Sequence, residues 1–430
     1  MTIKIENLGK IKIANIDIKG IAVIAGLNNT GKSTVSKTLF CVINNFYNTN
    51  KTIETIKKTM FHREIRRLNL RIIESNKSFY YFGYDTYSEA LDAPNKIYSL
   101  FNKGSTLTKE TLWEYIQSDA PKFESGTLEI GNENSLYTCV SELTKIYELS
   151  DVFLLSENLS TYLNHEFAQQ INNIYLPDCI AKINFNTGKS DTEITINDNN
   201  VQNISTVIDT EKQAIYIDTP YVLDSIYPGY AEARFFTNKF SHRELLTDFL
   251  NNSKNPNVGE TLFLKNRLDK VFQKLQEVIP GKILQQTNHF FYMEKKGSSE
   301  GIKLKNLSSG LKTFAMFKKL LDNGSLEEGG TLILDEPEVH LHPEWQLVFA
   351  EVIVLLQKEL GMHILINTHS PYFLDALDVY SKKHNICEIT KYYLAEEADN
   401  GVEIHNVTGN LEQIYKKMAA PLQKLDNGGE

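Results

Sequence analysis

Ile21-Ala22-Val23-Ile24-Ala25-Gly26-Leu27-Asn28-Asn29-Thr30-Gly31-Lys32-Ser33 decides how the rest of the chain is read. Ile21 to Ala25 is an unbroken apolar run, the pattern of a strand buried on both faces. Gly26 to Ser33 then fits G-x-x-x-x-G-K-[ST] without exception. Past the loop, Val35, Leu39, Val42, Ile43 and Phe46 recur at helical spacing. Strand, loop and helix in that order make a phosphate cradle. Gly26 and Gly31 lack a Cβ, so backbone N–H groups can turn inward on an anion. The N-terminus of the following helix faces the same anion. The expected nucleotide contacts are Gly26, Asn28, Asn29, Thr30, Gly31, Lys32, Ser33 and Thr34. Lys32 should reach the β- and γ-phosphates, and the Ser33 hydroxyl should bind Mg²⁺. ATP and Mg²⁺ are therefore the expected cofactors. The competing reading, a chance match in a glycine-bearing turn, is opposed by the flanking strand and helix.

Working outward, Thr331-Leu332-Ile333-Leu334-Asp335-Glu336-Pro337-Glu338 is a second apolar strand that delivers two carboxylates to its carboxyl end. Ligands of open α/β sheets bind at that edge. Asp335 is placed to hold Mg²⁺. Glu336 is the natural general base for an attacking water. A third stretch, Asn306 to Lys312 (NLSSGLK), opens an apolar-periodic helix. A fourth, His363 to Asn367, is an apolar strand followed by Thr368-His369-Ser370-Pro371.

Between these motifs the pattern changes. Ile3, Ile5, Ile11, Ile13, Ile16 and Ile18 mostly alternate with polar residues and predict short strands before the loop. Helical stretches are expected at 52–75, 87–102, 107–117 and 135–165, punctuated by Gly104, Pro121, Gly126 and Gly131. They read as a helical insertion over 48–183, between an N-terminal ATPase lobe at 1–47 and a C-terminal lobe at 184–430. Two alternating runs across Asn186-Thr187-Gly188 predict a hairpin, and a second hairpin is expected over 289–304 with its turn at 296–301. Ala214 to Asp218 is a further strand, 240–279 and Pro343 to Leu360 are helical, and the end of the chain reads as a short tail.

The totals exclude several classes. At 430 residues, 41% hydrophobic and 23% charged, the chain reads as a globular protein of two or three units. No apolar run reaches the roughly 20 residues that span a bilayer, and MTIKIENLGK does not read as a signal peptide, so a cytoplasmic location with no membrane partner is expected. Cys41, Cys139, Cys179 and Cys387 form no C-x-x-C pair, which argues against zinc or a disulfide framework. A net charge of −9 gives no whole-surface attraction to nucleic acid. Arg63, Arg66, Arg67 and Arg71 at helical spacing could still touch phosphates, or form a solvated face paired with Glu64 and Glu74.

The order of phosphate loop, LSSG, LILDEPEVHLHP and NTHSP resembles the nucleotide-binding domain of ABC-class ATPases, in the soluble branch with RecF, SMC and OLD-type proteins. The resemblance implies an α/β fold: an ABC-ATPase head with a mixed sheet flanked by helices and an antiparallel β subdomain, plus the helical insertion. It implies that Ser308 and Gly310 contact the γ-phosphate of ATP held by another protomer. It also implies that His369 hydrogen-bonds the γ-phosphate, and that Glu336, His369 and Lys32 are the catalytic set. The familiar LSGGQ reads LSSGL here, with Ser309 and Leu311 replacing a glycine and a glutamine. No glutamine stands out for the Q-loop, and Asp218, at the end of its strand, is the geometric candidate. His340 and His342 resemble the dimer loop of OLD-like and RecF-like proteins.

Members of this class work as dimers, so a homodimer or higher homo-oligomer is implied. The residues after His369 show no Glu-Gly pair followed by D-x-D at a strand end, so no Toprim nuclease is expected. The combination resembles stand-alone anti-phage defence ATPases of the Septu or PARIS type, in which a separate effector nuclease or toxin docks on the ATPase. The alternative is a RecF- or SMC-like DNA-repair ATPase that binds nucleic acid itself.

Overall fold

The computed structural model describes residues 1–68, 70–74, 77–80, 92–119, 126–130, 134–176, 178–226, 240–251, 267–286, 289–294 and 301–426. The chain divides into a larger unit, built from residues 1–47, 156–226 and from 240 onward, and a smaller unit at 48–155.

The larger unit opens with β1 (Thr2–Leu8), β2 (Ile11–Asp17) and β3 (Ile21–Gly26). Alternating isoleucines bury one face of β1, whereas every residue of β3 is buried, as its unbroken apolar run requires. The smaller unit carries β4 (Leu70–Glu74), β5 (Lys77–Tyr80) and β6 (Gly126–Ile130) as an antiparallel sheet in the order β5-β4-β6. Its helices Thr49–Arg66, Ala93–Asn102, Lys109–Asp119 and Asn134–Glu148 enclose Phe61, Ile65, Ile97, Leu112, Ile116 and Leu143.

The chain then supplies β7 (Ala181–Asn186), β8 (Asp191–Asn197), β9 (Asn200–Ile204) and β10 (Ala214–Ile217) to the larger unit. Next come β11 (Lys282–Gln286), β12 (His289–Met293) and β13 (Ile302–Lys303), which form a separate three-stranded sheet. Last are β14 (Thr331–Asp335), β15 (His363–Thr368), β16 (Thr390–Ala398) and β17 (Gly401–Asn406).

Among the described residues the main sheet has eleven strands in the order β10-β14-β15-β3-β16-β17-β2-β1-β7-β8-β9. From β10 to β16 neighbouring strands are parallel. From β2 outward through β1, β7, β8 and β9 they are antiparallel. The fold is therefore α/β with a large mixed sheet and an antiparallel wing. The register sets Asp335 opposite Asn367, Thr368 opposite Ala25, and Ala395 opposite Gly26. The carboxyl ends of β14, β15 and β3 thus meet at one edge, where parallel sheets bind ligands.

Helices Ser309–Asp322, Pro343–Leu360 and Pro371–Lys383 bury their apolar faces in a core containing Phe314, Phe317, Phe349 and Phe373. The Phe317 and Phe349 rings meet edge to face at 4.8 Å. Each such ring withdraws enough apolar surface to favour the fold by about 2–3 kcal/mol. Pro343 starts its helix and Gly361, at φ 61°, ends it in the left-handed conformation that needs no Cβ.

The structure departs from the sequence expectations in three places. The helix expected over 52–75 ends at Arg66, and Leu70–Glu74 is a strand because β5 and β6 pair with its backbone on both sides. Arg71 therefore leaves the arginine stripe, and Arg67 is ion-paired to Glu64 at 2.5 Å. The insertion expected over 48–183 is a compact unit only to residue 155 and contains a sheet, while 156–183 belongs to the larger unit. Glu166 and Ile171 explain that assignment, being buried against His242 and bonded to Gly9 respectively. The hairpin expected over 289–304 is present: β12 pairs antiparallel with β13, Phe291 opposite Lys303 and Tyr292 opposite Ile302, with its turn at 296–301 largely outside the described residues, and β11 adds a strand on the other side of β12. Finally, the tail supplies β16 and β17, which join β3 to β2 in the sheet.

Candidate nucleotide site

Two close approaches shape the loop. A Cβ on Gly26 would meet the carbonyl oxygen of Ala395 at 2.9 Å, because β16 runs directly beside it. Gly31 has φ +72°, and a Cβ there would meet Ile11 Cδ1 at 2.8 Å. Asn29 also takes a left-handed backbone, φ 66°, and its side chain accepts a hydrogen bond from Lys10 Nζ at 2.5 Å. Thr30 donates its hydroxyl to Leu27 O at 2.8 Å. Asn28, Asn29 and Ser33 are exposed, and the helix Lys32–Asn45 begins directly behind them, with Thr34 N–H donating to Gly31 O at 3.0 Å.

Lys32 is buried, and its ammonium donates to Gly26 O at 3.1 Å and to Leu27 O at 2.9 Å. It lies 4.0 Å from Glu336 Oε1. Burial pulls the Lys32 pKa below the ordinary lysine value, against the opposing pull of Glu336, Asp335 and Glu338. The ammonium therefore sits curled against its own loop, with donors that phosphate oxygens can take over.

Asp335 is held at both oxygens. Oδ1 accepts from Asn367 Nδ2 at 2.9 Å, and Oδ2 accepts from the Tyr216 hydroxyl at 2.9 Å. Asn367 Nδ2 also reaches Ser36 Oγ at 2.9 Å, which ties β15 to the helix behind the loop. Glu336 follows with φ +49°, a conformation costly for a residue with a side chain, and its N–H donates to Asn367 O at 2.9 Å. His369 Nδ1 is 3.3 Å from Glu336 Oε1 and 4.0 Å from Glu338 Oε1. Lys32, Ser33, Asp335, Glu336 and His369, drawn from three strand ends, so converge on one place.

A cavity of about 300 Å³ opens here, lined by Ser33, Asp335, Glu336, Asp218, Thr219 and His340 among others. Asp218 is not free in it. It accepts from Arg243 Nε at 3.0 Å and faces His242 Nε2 at 3.2 Å. Burial alone would raise the Asp218 pKa, but the hydrogen bonds from His242 and Arg243 prevail and hold it at about 2. The buried Glu166 closes this cluster, accepting from His242 Nδ1 at 2.8 Å.

Of the expected site residues, Ser33, Asp335 and Glu336 line the cavity, whereas Lys32, His369, Ser308 and Gly310 do not. Ser308 caps the helix Ser309–Asp322, accepting from Leu311 N–H at 3.4 Å. Gly310 is wedged against the loop after β14, where a Cβ would meet His340 O at 3.0 Å. His340 and His342 belong to no metal cluster among the described residues.

The donors present fit the expected ligands. Ser33 and Asp335 supply the hard oxygens that Mg²⁺ prefers. His369 Nδ1 and Asn367 Oδ1 are buried without a hydrogen-bond partner, so both keep capacity for a ligand or its water. Tyr216, Asn367, Thr368 and Glu338 are the members that sequence reasoning did not assign. Asn367 and Thr368 stand inside the quoted NTHSP, so their position was visible though their partners were not.

Fold and site together define a phosphate-loop protein of the α/β class. Residues 1–374 match the family model for the AAA ATPase domain, and the chain belongs to that family. No curated protein matches the chain significantly. Solved structures similar to it include the SMC head bound to the C-winged helix domain of ScpA, at 9% identity and TM-score 0.38, covering 96% of this chain and 98% of that one. The SMC head domain from Thermotoga maritima is similar at 9% identity and TM-score 0.36, covering 94% and 98%. An SMC head with an extended coiled coil bound to the C-terminal domain of ScpA, derived from Pyrococcus furiosus, matches at 10% identity and TM-score 0.38, covering 99% and 98%. Among the described residues, no helix is long and apolar enough to cross a membrane.

Proposed function

We propose that the chain binds ATP with Mg²⁺ at this site and hydrolyses it as a nucleotide-gated dimer. The observation that carries the reading is Glu336, strained at φ +49° and set between Lys32 Nζ at 4.0 Å and His369 Nδ1 at 3.3 Å. A carboxylate held in that geometry beside a cation and an imidazole is placed to take a proton from water. Lys32 and the loop N–H groups of residues 26–34 bind the phosphates. Ser33 and Asp335 hold Mg²⁺, which when bound neutralises charge on the phosphates. His369 contributes a hydrogen bond on the γ-phosphate side.

Ser308 and Gly310 stand at the N-terminus of the helix Ser309–Asp322, where a hydroxyl and backbone N–H groups can contact an anion, which supports a role toward the nucleotide of a second copy. ATP then acts as an assembly switch whose output depends on a partner. We assign that partner to a separate effector, a nuclease or toxin, in cytoplasmic anti-phage defence, and assign its recognition to the smaller unit at 48–155. Direct DNA binding, as in a repair ATPase, is the competing assignment.

The test is nucleotide retention by the purified chain. Glu336→Gln should retain ATP and shift the chain to a dimer by light scattering, with turnover lost. Lys32→Ala should abolish retention, and Ser308→Arg should leave ATP bound but block the dimer. Turnover unchanged in both Glu336→Gln and Lys32→Ala would defeat the mechanism.

A further inference from the structure

Glu338 is a carboxylate that the reaction as described does not use. It is 3% exposed, in the loop between β14 and the helix Pro343–Leu360. Its Oε1 accepts from the Thr368 hydroxyl at 2.5 Å and from the His369 backbone N–H at 3.2 Å. It also lies 4.0 Å from His369 Nδ1. Its Oε2 is buried with no hydrogen-bond partner. A purely structural tie would be met as well by a smaller or fully satisfied group, so a buried carboxyl with one unmatched oxygen calls for another explanation.

The surrounding bonds supply one. Thr368 and His369 form the turn where β15 gives way to the helix Pro371–Lys383. Ser370 caps that helix and donates its hydroxyl to Gln346 Oε1 at 3.2 Å. Gln346 Nε2 in turn donates to the carbonyl of Leu341 at 3.2 Å. The loops after β14 and β15 are thereby laced together, and Glu338 is the tie nearest the imidazole. Nothing else described bonds the His369 backbone N–H.

We propose that Glu338 is a positioning residue of the nucleotide site, fixing the Thr368-His369 turn so that the His369 ring stays beside the Glu336 carboxylate. This rests on the ATP-site reading above and adds a member to it. Glu338 acts through His369 and touches no phosphate. The anchor is Oε1, so an amide in its place keeps the two bonds and a methyl loses them.

The experiment uses the full chain with nitrogen-labelled histidine, with the His369 imidazole signals assigned by His369→Gln. Without nucleotide, Glu338→Ala should move or broaden the His369 signals, and Glu338→Gln should leave them in place. With ATP, Glu338→Ala should lower kcat about 10-fold or more with KM within about threefold, and Glu338→Gln should keep kcat within about threefold. Should Glu338→Ala fail to fold, Thr368→Val removes one of the same bonds and should move the same signals. His369 signals identical in the wild type and the folded Glu338→Ala or Thr368→Val chain would overturn the proposal. So would a change confined to KM. The nucleotide-free signals decide it even if Lys32→Ala leaves turnover unchanged, an outcome that would instead sink the ATPase mechanism.

Discussion

The Tyr216 hydroxyl donates to Asp335 Oδ2 at 2.9 Å, from the strand at the open edge of the sheet. Burial, with Asp335 next to it, raises the Tyr216 pKa well above the ordinary tyrosine value, so the phenol stays a donor. Partners one shell out from a metal commonly govern its affinity about 10- to 100-fold. Tyr216→Phe should therefore raise the Mg²⁺ concentration for half-maximal ATP turnover by about 10-fold, measured by Mg²⁺ titration at saturating ATP. An unchanged midpoint would mean that Asn367 alone orients Asp335.

Gly31 faces two independent obstacles to any side chain, a φ of +72° and Ile11 Cδ1 at 2.8 Å. Left-handed backbone costs a non-glycine residue about 1–2 kcal/mol. Gly31→Ala should lower the melting temperature by several degrees and weaken nucleotide binding, read by thermal shift with and without ATP. The isoleucine tip can move, so the double change Gly31→Ala with Ile11→Val should recover only part of the loss.

Lys312 is 5% exposed and its ammonium sits 2.6 Å from Asp224 Oδ1, joining the helix after Ser308 to the turn Pro220–Ser225. Removing Asp224 strands a buried cation, whereas replacing Lys312 removes the charge and can keep its apolar stem. Asp224→Ala should cost about 2 kcal/mol and Lys312→Met less than about 1 kcal/mol, by chemical denaturation. The reverse order would show that the stem, not the charge, matters.

The Asp218 cluster sets a pH dependence. Its carboxyl is held at about 2, so its contribution is fully present above the unfolded value near 4 and is lost as pH falls toward 2. The loss amounts to about 2 kcal/mol. His242 behaves in the opposite sense. Burial lowers its pKa, but hydrogen bonds to Asp218 and Glu166 prevail and raise it, so its contribution is present at low pH and fades as pH climbs through the raised value. Denaturation of wild type and Asp218→Asn between pH 5 and pH 2 should give a visibly flatter curve for the variant. His242→Gln should flatten the alkaline side instead.

The parts written into local sequence are those whose physics is local. An unbroken apolar run made β3, an eight-residue signature made the loop, and helical spacing made the helix behind it. The stretch Leu70–Glu74 misled because its spacing continued a helical pattern, and two pairing strands outside that window decided it. Tyr392 to Ala395 is an apolar run of the same kind as β3, yet the end of the chain read as a tail because only the slot between β3 and β17 makes that run a central strand.

The site divides the same way. The sequence alone determined the phosphate loop, the carboxylate pair at Asp335 and Glu336, and the presence of a histidine after a strand, because each is a chemical type at a short fixed spacing. Tertiary structure alone decided what each one touches. It set Tyr216 on Asp335 across 119 residues and Asn367 on Ser36 across 331. It also turned Glu338, three places past Asp335, inward onto Thr368 and His369. Those bonds follow from the register of parallel strands β10, β14, β15 and β3, which no local window contains.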